Sequence, residues 1–344
     1  MSDEILFEVR GKAGFVTLNR PQTLNALTHS KVIALAEQLK RWADDPTVAR
    51  VVIKGAGDKA FCAGGDIRSI YDAKQAGEVD GLKQFFRDEY TLNAYIKAYP
   101  KPYIALIDGI VMGGGVGVSV HGSHRIGTEK TLFSMPETGI GFFPDVGGTY
   151  FLPRMPKKTG VYCALAASRL KQGDALATGV LTHAVAQSSL TELERALETA
   201  EDIDAALEAF LVVPEPGPVK ENETIIEEAF SAGSVGEVLE RLQRSDTDFG
   251  RKASTAIRTK SPTSILITFE QMRRGAHLSF NECMKLEYRI VSRLLHGVDF
   301  FEGIRAVVID KDQAPKWTPT QLGQVDSANL ASYFEEPSDG DLPL

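Results

Sequence analysis

The chain has 344 residues, of which 43% are hydrophobic and 24% are charged, and its formal net charge at pH 7 is −8. This length and composition are typical of a globular protein that buries a sizeable core, as one large domain or a domain with an appendage. The negative charge disfavours a nucleic-acid binder, because such proteins concentrate Lys and Arg to release counterions from phosphates.

The N-terminal segment and the cysteines together predict a cytoplasmic protein. Residues 1–9 lack a basic region followed by an apolar run, and they lack the Arg-rich composition of a transit peptide. The three cysteines are far apart and have neither disulfide nor zinc spacing, which favours a reducing compartment: Cys62, Cys163 and Cys283. His121 and His124 have an i, i+3 spacing, but no third ligand is suggested nearby, so no metal site is predicted.

The first half of the chain predicts alternating strands and helices. Residues 7–19 alternate around two glycines as a β-hairpin does, and Thr28 is a plausible N-cap for an amphipathic helix that reaches Trp42. Continuous apolar runs at 51–53 and 103–107 are typical of strands covered on both faces. The alternation predicts an α/β fold with parallel strand pairing.

The second half of the chain predicts mainly helices. An acidic helical pattern at 190–211 precedes the Pro-rich breaker at 213–218, and helical periodicity returns at 225–242 and 265–295. We therefore predict a core domain at 1–190 and a mainly helical region at 191–344 that completes the site and offers oligomer contacts. The last ten residues are acidic and contain Pro and Gly, so we expect them to be poorly ordered.

Two glycine-rich turns follow the two apolar strands, at 55–66 and 108–117. Glycine allows a ligand to approach the main chain closely and leaves N–H groups available as donors. Neither turn has the Gly-Lys-Ser/Thr or G-x-G-x-x-G pattern of nucleotide-binding loops, which disfavours a nucleotide-binding module. The glycines and Asp108 also interrupt the apolar stretch 103–120, which favours a buried strand and helix over a membrane span. Two such turns can direct two N–H groups at one oxygen, as an oxyanion hole does; the alternative is a tight turn without function.

Two carboxylates lie among apolar and glycine residues in the segment 133–148. Glu137 and Asp145 are separated by a Pro/Gly-containing loop. Glu and Asp are seldom buried unless they are paired or functional, so the pair predicts raised pKa values and acid/base or nucleophilic chemistry. For either acid alone, a capping or surface role is the alternative.

The two glycine turns resemble the oxyanion-hole segments of the crotonase (enoyl-CoA hydratase/isomerase) superfamily. The similar segments are Lys-Ala-Phe-Cys-Ala-Gly-Gly-Asp-Ile at 59–67 and the triple-glycine turn at 109–117. The resemblance covers about residues 7–185, and more weakly 299–317. It implies a spiral of ββα units with a mainly helical C-terminal region, and an oxyanion hole formed by the N–H groups of Gly65 and Gly114.

The same resemblance implies an acyl-CoA substrate, with the coenzyme contacted by residues near the first turn: Gly64, Asp66, Ile67 and Arg68. Coenzyme A would be part of the substrate, so no separate cofactor is expected. Superfamily members often form trimers or pairs of trimers, which implies a homo-oligomer. Hydratases of the family usually carry a glutamate shortly after the triple glycine, where this chain has Gly117, and this departure disfavours hydration of a double bond.

Three further segments are similar to the branch of the superfamily that hydrolyses 3-hydroxyisobutyryl-CoA in valine catabolism. They are Phe-Arg-Asp-Glu-Tyr at 86–90, the segment 133–148 and the stretch 299–317. The similarity implies that Glu137 and Asp145 are the catalytic pair and that Glu89 lines the acyl pocket. Glu137 would attack the thioester carbonyl directly or activate a water, and Asp145 would orient the 3-hydroxyl group or the water. An enoyl-CoA hydratase or isomerase, and a catalytically silent acyl-CoA-binding protein, are the alternatives.

Overall fold

A computed structural model describes residues 3–344. The prediction of location used residues 1–9, and Met1 of that segment lies outside the described residues. The chain forms two compact units: unit 1 contains residues up to 65, 92–133 and 170–220, and unit 2 contains 66–91, 134–169 and 221–344. The units interleave along the chain, whereas the sequence analysis placed a single boundary at residue 190. That residues 191–344 complete the site stays a prediction.

The elements alternate in the first half of the chain and are helical in the second. The strands are β1 (Ile5–Arg10), β2 (Ala13–Leu18), β3 (Arg50–Gly55), β4 (Ala60–Cys62), β5 (Tyr103–Ile107), β6 (Ile110–Met112), β7 (His124–Gly127), β8 (Leu132–Ser134), β9 (Arg169–Lys171) and β10 (His183–Ala184). The α-helices are α1 (His29–Asp44), α2 (Ile67–Gln75), α3 (Val79–Lys97), α4 (Gly114–Gly117), α5 (Gly148–Phe151), α6 (Thr159–Ala166), α7 (Gln172–Ala177), α8 (Leu190–Thr199), α9 (Ile203–Glu208), α10 (Pro218–Glu221), α11 (Glu223–Phe230), α12 (Val235–Arg244), α13 (Asp248–Arg258), α14 (Pro262–Gly275), α15 (Phe280–Leu294), α16 (Asp299–Ile304) and α17 (Ser327–Ser332). Short 3₁₀ helices include Glu137–Ile140, and a π-helical turn spans Arg305–Ile309.

Two sheets organise the strands. The larger sheet has the order β1-β2-β3-β5-β7-β10; β1 and β2 form the expected antiparallel hairpin, and the pairings from β2 onwards are parallel. The smaller sheet has the order β4-β6-β8-β9, and its β4–β6 pair is parallel. Thr28 caps α1 through its side chain, as expected. The predicted α/β fold with parallel pairing is therefore confirmed.

The core of unit 1 lies against the larger sheet. One face of β2, β3, β5 and β7 contributes small and branched apolar side chains, and α8 and α9 cover them with leucines. The ten buried members of this cluster are Ala13, Phe15, Val52, Ile104, Leu106, Ile126, Val185, Leu193, Leu197 and Leu207. Continuous apolar strands are expected where both faces of a parallel sheet are covered. This core holds the strands from which the glycine turns emerge.

Unit 2 is mainly helical, as predicted for the end of the chain. The predicted helical stretch 265–295 is divided into α14 and α15, because Ser279 and Glu282 form a capping box that begins a new helix. Aromatic rings connect α3, the loop at 142–143 and α16: Phe86 stacks on Phe142 with 5.7 Å between centroids, and Phe142 lies 4.4 Å from Phe300. These contacts fix the loop that carries the predicted carboxylates.

The C-terminal tail is held by unit 2, which corrects the expectation that residues 335–344 are poorly ordered. Leu342 is 1% exposed, and both oxygens of Asp341 accept from Arg289, at 2.8 and 2.5 Å. Lys83 reaches Asp339 at 2.5 Å. Two acidic side chains of the tail therefore form ion pairs with basic residues of α3 and α15, and these pairs hold the tail in place.

Candidate active site

Parallel pairing of β4 with β6 brings the two glycine turns of unit 1 together. Ala60 pairs with Ile110 and Cys62 pairs with Val111, so both strands end at the same edge of the sheet. Gly64 follows the first strand, and a Cβ built on it would lie 3.9 Å from the backbone N of Gly114. The predicted juxtaposition of the two turns is present in this unit.

The backbone of these turns requires glycine. Gly64 has φ +117° and Gly113 has φ +48° with ψ −124°, which are conformations that L side chains rarely adopt. A Cβ on Gly115 would collide with the backbone of Cys62, so this glycine permits the close approach of α4 to β4. Within residues 3–344, the N–H groups of Gly65 and Gly114 donate to no backbone acceptor. Two N–H groups left without backbone partners are what an oxyanion hole needs.

The residues after the first turn begin α2. Asp66 is its N-cap, and Asp66 Oδ1 accepts from the N–H of Ser69 at 3.3 Å. Ile67 is half-buried, and Arg68 is exposed and lies 3.9 Å from Asp72. A capping role for Asp66 is thus present in the structure, whereas the predicted coenzyme contacts of Gly64, Asp66, Ile67 and Arg68 stay predictions.

Four carboxyl groups are buried together in unit 2. Glu89, Glu137 and Asp145, all predicted from the sequence, are 2%, 6% and 5% exposed, and Glu287 is 0% exposed. Burial and the charge of Asp145 raise the pKa values of Glu89 and Glu137 well above the usual range. Burial raises the pKa of Asp145 to about 7, and burial together with Asp145 raises that of Glu287 to about 8.

Glu137 is placed by a short 3₁₀ turn that rests on its neighbours. The next residue, Thr138, donates its hydroxyl to the carbonyl of Ala164 at 3.3 Å. Gly141 ends the turn with φ +68°, and a Cβ there would meet the carbonyl of Asp299 at 2.5 Å. A Cβ built on Gly303 of α16 would likewise collide with the carbonyl of Ile140. These two glycines allow the backbone of α16, which begins at Asp299, to contact the 3₁₀ turn directly. In this way α16 supports the turn that carries Glu137.

Asp145 lies in a loop with unusual backbone geometry. Val146 has φ +49° and Gly147 has φ +90°, so two consecutive left-handed residues follow the carboxylate. A positive φ at a β-branched residue is rare and persists only where surrounding contacts impose it. The buried hydroxyl of Tyr90 donates to Asp145 Oδ2 at 2.8 Å. The loop thus presents Asp145 in one defined orientation.

Glu287 was not predicted from the sequence; it lies 140 residues from the loop that it contacts. It stands on the apolar stripe of α15, between Cys283 and Met284 on one side and Ile290 and Val291 on the other, all of them buried. A single charged residue inside such a stripe is the signal that could have identified it. The contact of Tyr90 with Asp145 was not foreseen either, although Tyr90 belongs to the Phe-Arg-Asp-Glu-Tyr motif.

The carboxyl cluster is suited to proton transfer and nucleophilic chemistry. Four neighbouring carboxyls in a low-dielectric interior cannot all ionise, so protons are shared among them. Within residues 3–344, Glu89 Oε1 and Glu137 Oε2 are buried without a hydrogen-bond partner. Buried polar atoms are normally paired, so these two oxygens are the ones available to a substrate or a nucleophilic water.

Comparison with known proteins agrees with these features. A model of the enoyl-CoA hydratase/isomerase family matches residues 13–334. Among curated proteins, the chain is 47% identical to the mitochondrial 3-hydroxyisobutyryl-CoA hydrolase of Danio rerio, over 99% of this chain and 92% of the relative. It is 44% identical to the mitochondrial 3-hydroxyisobutyryl-CoA hydrolase of Homo sapiens, over 99% of this chain and 91% of the relative.

Two solved structures are similar over their full length. A protein described as a carnitinyl-CoA dehydratase from Mycobacterium thermoresistibile superposes with a TM-score of 0.94 at 40% identity, covering 99% of each chain. A protein described as an enoyl-CoA hydratase from Rhodobacter sphaeroides superposes with a TM-score of 0.93 at 37% identity, covering 99% of this chain and 100% of the other. The predicted crotonase-like fold is therefore confirmed, while the names of these relatives differ in reaction type.

The prediction of a cytoplasmic location is wrong. The curated relatives that match nearly the whole chain are mitochondrial proteins, and this finding overturns the expectation drawn from the N-terminal composition and the cysteines.

Among residues 3–344, no helix combines the length and the apolar character needed to cross a bilayer.

Proposed function

The chain belongs to the enoyl-CoA hydratase/isomerase family, and we propose that it is an acyl-CoA thioester hydrolase that converts 3-hydroxyisobutyryl-CoA to 3-hydroxyisobutyrate and coenzyme A. The observation that carries the proposal is the buried carboxyl cluster of Glu89, Glu137 and Asp145, which coincides with identities of 44–47% to hydrolases over 99% of the chain. We propose that this reaction serves the breakdown of valine, as the name of the curated relatives implies.

Hydrolysis of a thioester needs a stabilised oxyanion. As water or a carboxylate adds to the carbonyl carbon, negative charge develops on the carbonyl oxygen, and preorganised N–H groups stabilise it. We assign this role to the N–H groups of Gly65 and Gly114, because the turns that carry them meet at one edge of the small sheet and neither donates to a backbone acceptor. One such donor is worth about 3 kcal/mol of the barrier.

The same reaction needs an oxygen nucleophile and a proton for the departing thiolate. We assign the first task to Glu137, whose Oε2 is buried without a partner. It either attacks the carbonyl carbon to form an acyl-enzyme anhydride or removes a proton from the attacking water. In both cases the C–S bond breaks and the sulfur leaves as coenzyme A thiol after protonation. A cluster of carboxyls that share protons is a suitable source for that proton. On the anhydride route, water then cleaves the anhydride, which releases the free acid and restores the Glu137 carboxylate.

Asp145 and Glu89 are assigned to the acyl group. Tyr90 holds Asp145 through one oxygen, Oδ2, and we assign the Asp145 carboxylate to accept from a 3-hydroxyl group or from water. Burial and the charge of Asp145 raise the pKa of Glu89, which favours its protonated form, and a protonated carboxyl can donate to the same hydroxyl. Two polar groups directed at a substrate hydroxyl select strongly against analogues that lack it.

The second candidate is an enoyl-CoA hydratase or dehydratase, which the names of the two similar solved structures favour. Gly117 opposes it, because this buried glycine of α4 offers no carboxylate where hydratases of the family usually have one. Addition of water to a double bond calls for a base and an acid on the reacting carbons. The two candidates use the same oxyanion donors and differ in the bond that breaks.

A thiol-release screen over short acyl-CoA substrates tests the proposal. The panel contains 3-hydroxyisobutyryl-CoA, 3-hydroxypropionyl-CoA, acetyl-CoA and crotonyl-CoA, with absorbance of the enoyl thioester followed in parallel. Release of free thiol that is fastest with the 3-hydroxyacyl substrates supports the hydrolase. Loss of enoyl absorbance without thiol release would establish the hydratase instead, and no turnover with measurable binding would identify a silent acyl-CoA-binding protein.

We also propose a homo-oligomer, a trimer or a pair of trimers, by resemblance to the family. Light scattering coupled to size exclusion measures the mass in solution directly, against a single-chain mass of 37.4 kDa. A mass near that of one chain at micromolar concentration would refute it.

A further inference from the structure

The loop that carries Asp145 is held from two sides by helices of unit 2. Both carboxylate oxygens of Glu287 on α15 accept backbone hydrogen bonds, from the N–H of Gly147 at 2.9 Å and from that of Thr149 at 2.9 Å. On α14, the side-chain amide of Gln271 donates to the carbonyl of Pro144 at 2.6 Å and to Thr149 Oγ1 at 2.7 Å. These four bonds bracket the carboxylate on both sides along the chain.

The bonds account for the strained geometry next to Asp145. A left-handed β-branched residue costs free energy, and the cost must be offset by contacts that the relaxed loop would lose. Val146 is completely buried, and the N–H of Gly148 donates to the carbonyl of Asp145 at 2.7 Å, which closes a tight turn. Without Glu287, the buried N–H groups of Gly147 and Thr149 would lose their acceptors, and the turn would relax towards other conformations.

Glu287 is also an expensive residue to bury. It is 0% exposed on a helix whose neighbouring positions are apolar, and the negative charge it carries when ionised opposes that of Asp145. An amide or hydroxyl could accept a backbone hydrogen bond at lower cost. A carboxylate accepts two N–H groups at once and adds a charge, so a role that uses both properties explains its presence.

The groups that face Glu287 come from four segments. Asp145 lies in the loop, Glu137 in the 3₁₀ turn, and Glu89 and Tyr90 on α3; the charge of Glu287 raises the pKa values of Glu89, Tyr90 and Glu137.

On the helix of Glu287 itself, burial and the charge of Glu287 raise the pKa of the Cys283 thiol, which Arg154 lowers. Arg154 itself donates to the carbonyls of Tyr150, Gly275 and Leu278. The proposed function thus gives a catalytic or substrate-binding role to each of the three carboxyls that interact electrostatically with Glu287, namely Glu89, Glu137 and Asp145.

We propose that Glu287 is a positioning residue that holds the Asp145 loop in its active conformation and places a further ionisable group against the buried carboxyl cluster. The inference rests on the proposed function for the roles of Glu137 and Asp145. Its two parts are separable, because Gln271 shares the loop contacts and carries no charge. This pair of helical residues is therefore a matched set for testing.

Two substitutions separate the contacts from the charge. Glu287→Gln keeps the shape, but its NH₂ group faces one of the two N–H donors, so one loop bond is lost together with the charge. Gln271→Met keeps the apolar volume and loses only the loop bonds. Glu240→Gln, at an exposed position of α12, is the control for removal of a carboxylate elsewhere in unit 2.

Each variant is assayed for kcat and kcat/KM with 3-hydroxyisobutyryl-CoA from pH 5 to pH 9, beside thermal unfolding. We expect kcat to fall by about tenfold or more in both helix variants, because small displacements of a catalytic group are costly. Only in Glu287→Gln do we expect the acid limb to move to lower pH, by about one unit, because removal of a like charge lowers the pKa of Glu137. The control keeps the wild-type kcat and profile.

Three results would overturn the inference. A folded Glu287→Gln enzyme with wild-type kcat would exclude the role of Glu287 in positioning the Asp145 loop. If Glu287→Gln fails to fold, a folded Gln271→Met enzyme with wild-type kcat would exclude the need for these loop contacts. An acid limb that stays in place in Glu287→Gln would exclude the electrostatic part.

A turnover-independent measurement distinguishes failure of this inference from failure of the proposed function. The carboxyl carbon of Glu137, whose pKa the charge of Glu287 raises, is assigned by comparison with Glu137→Gln and titrated by NMR in the full chain without substrate. We expect its midpoint to fall by about one unit in Glu287→Gln and to stay in place in Glu240→Gln. If the wild-type chain releases no thiol from any acyl-CoA, the proposed function fails, and this titration still decides the role of Glu287; an unmoved midpoint would refute it.

Discussion

The hydroxyl of Tyr90 donates to Asp145 Oδ2 over 2.8 Å, and both side chains are buried. Burial raises the pKa of Asp145 to about 7, and this hydrogen bond acts in the opposite direction by stabilising the carboxylate. Burial and the same carboxylate raise the pKa of Tyr90 well above its usual value, which keeps the phenol protonated as a donor. The pair therefore holds Asp145 close to its point of half-ionisation at neutral pH.

Tyr90→Phe removes only this donor. Without it, the carboxylate of Asp145 loses its stabilising bond and its pKa rises, so the acid limb of kcat/KM should move to higher pH by about one unit. The pH profile with 3-hydroxyisobutyryl-CoA measures the shift. Tyr95→Phe, at a half-buried position of the same helix, is the matched control and should leave the profile unchanged. A Tyr90→Phe profile identical to that of the wild type would show that the bond does not tune Asp145.

Glu137→Gln should abolish turnover and leave acyl-CoA binding largely intact. The amide preserves the shape of the side chain but is neither a nucleophile nor a base at neutral pH. Thiol release measures turnover, and calorimetric titration with a non-hydrolysable acyl-CoA thioether measures binding. A kcat near that of the wild type would exclude Glu137 from both of its proposed roles.

Asp145→Asn should lower kcat/KM most for substrates that carry a 3-hydroxyl group. The carboxylate is proposed to accept a hydrogen bond from that hydroxyl or from water, and a site built for such a bond discriminates by several orders of magnitude against analogues that lack the group. The ratio of kcat/KM for 3-hydroxypropionyl-CoA to that for propionyl-CoA is the measurement. An equal loss on both substrates would indicate a general effect on the loop or on the water.

Gly114→Val tests the oxyanion donor through backbone geometry. A β-branched side chain beside the thioester misdirects the N–H group, and the expected loss of kcat is about two orders of magnitude with folding retained. Gly115→Ala is the contrasting variant, because its Cβ would collide with the Cys62 backbone and should lower the melting temperature. Active-site-normalised kcat beside thermal unfolding separates the two effects. Full specific activity in folded Gly114→Val would remove Gly114 from the mechanism.

The carboxyl cluster should make the protein less stable as the pH rises. Folded-state pKa values raised above the unfolded values mean that the folded chain binds more protons. The stabilisation is complete below about pH 4 and is lost as the pH rises through the folded values near 7 for Asp145 and 8 for Glu287. Glu89→Gln removes one of these groups, so its melting temperature should exceed that of the wild type at pH 8 by about 3 °C. Thermal unfolding at pH 5 and pH 8 is the check; an equal pH dependence of the melting temperature in both proteins would contradict it.

The elements and the local backbone of the site could be predicted from the sequence. The hairpin, the apolar strands and the two glycine turns follow from rules that act within about ten residues, since alternation, turn chemistry and glycine φ angles are local. Glu137 and Asp145 were recognisable because they interrupt an apolar, glycine-rich segment. By contrast, the order in the C-terminal tail was not, because Asp339 and Asp341 pair with Lys83 and Arg289 from distant parts of the chain.

The sequence alone thus determined which main-chain turns can expose N–H groups and which carboxylates are out of place in an apolar segment. Only the tertiary structure decided that Glu287, 140 residues beyond Gly147, closes the Asp145 loop. It also decided that four carboxyls share one low-dielectric site, which sets their pKa values. Local patterns specify dihedral angles and burial, whereas the pKa of a buried acid depends on the through-space distance to other charges and on the water excluded around it. Those quantities exist only once the helices of unit 2 have packed.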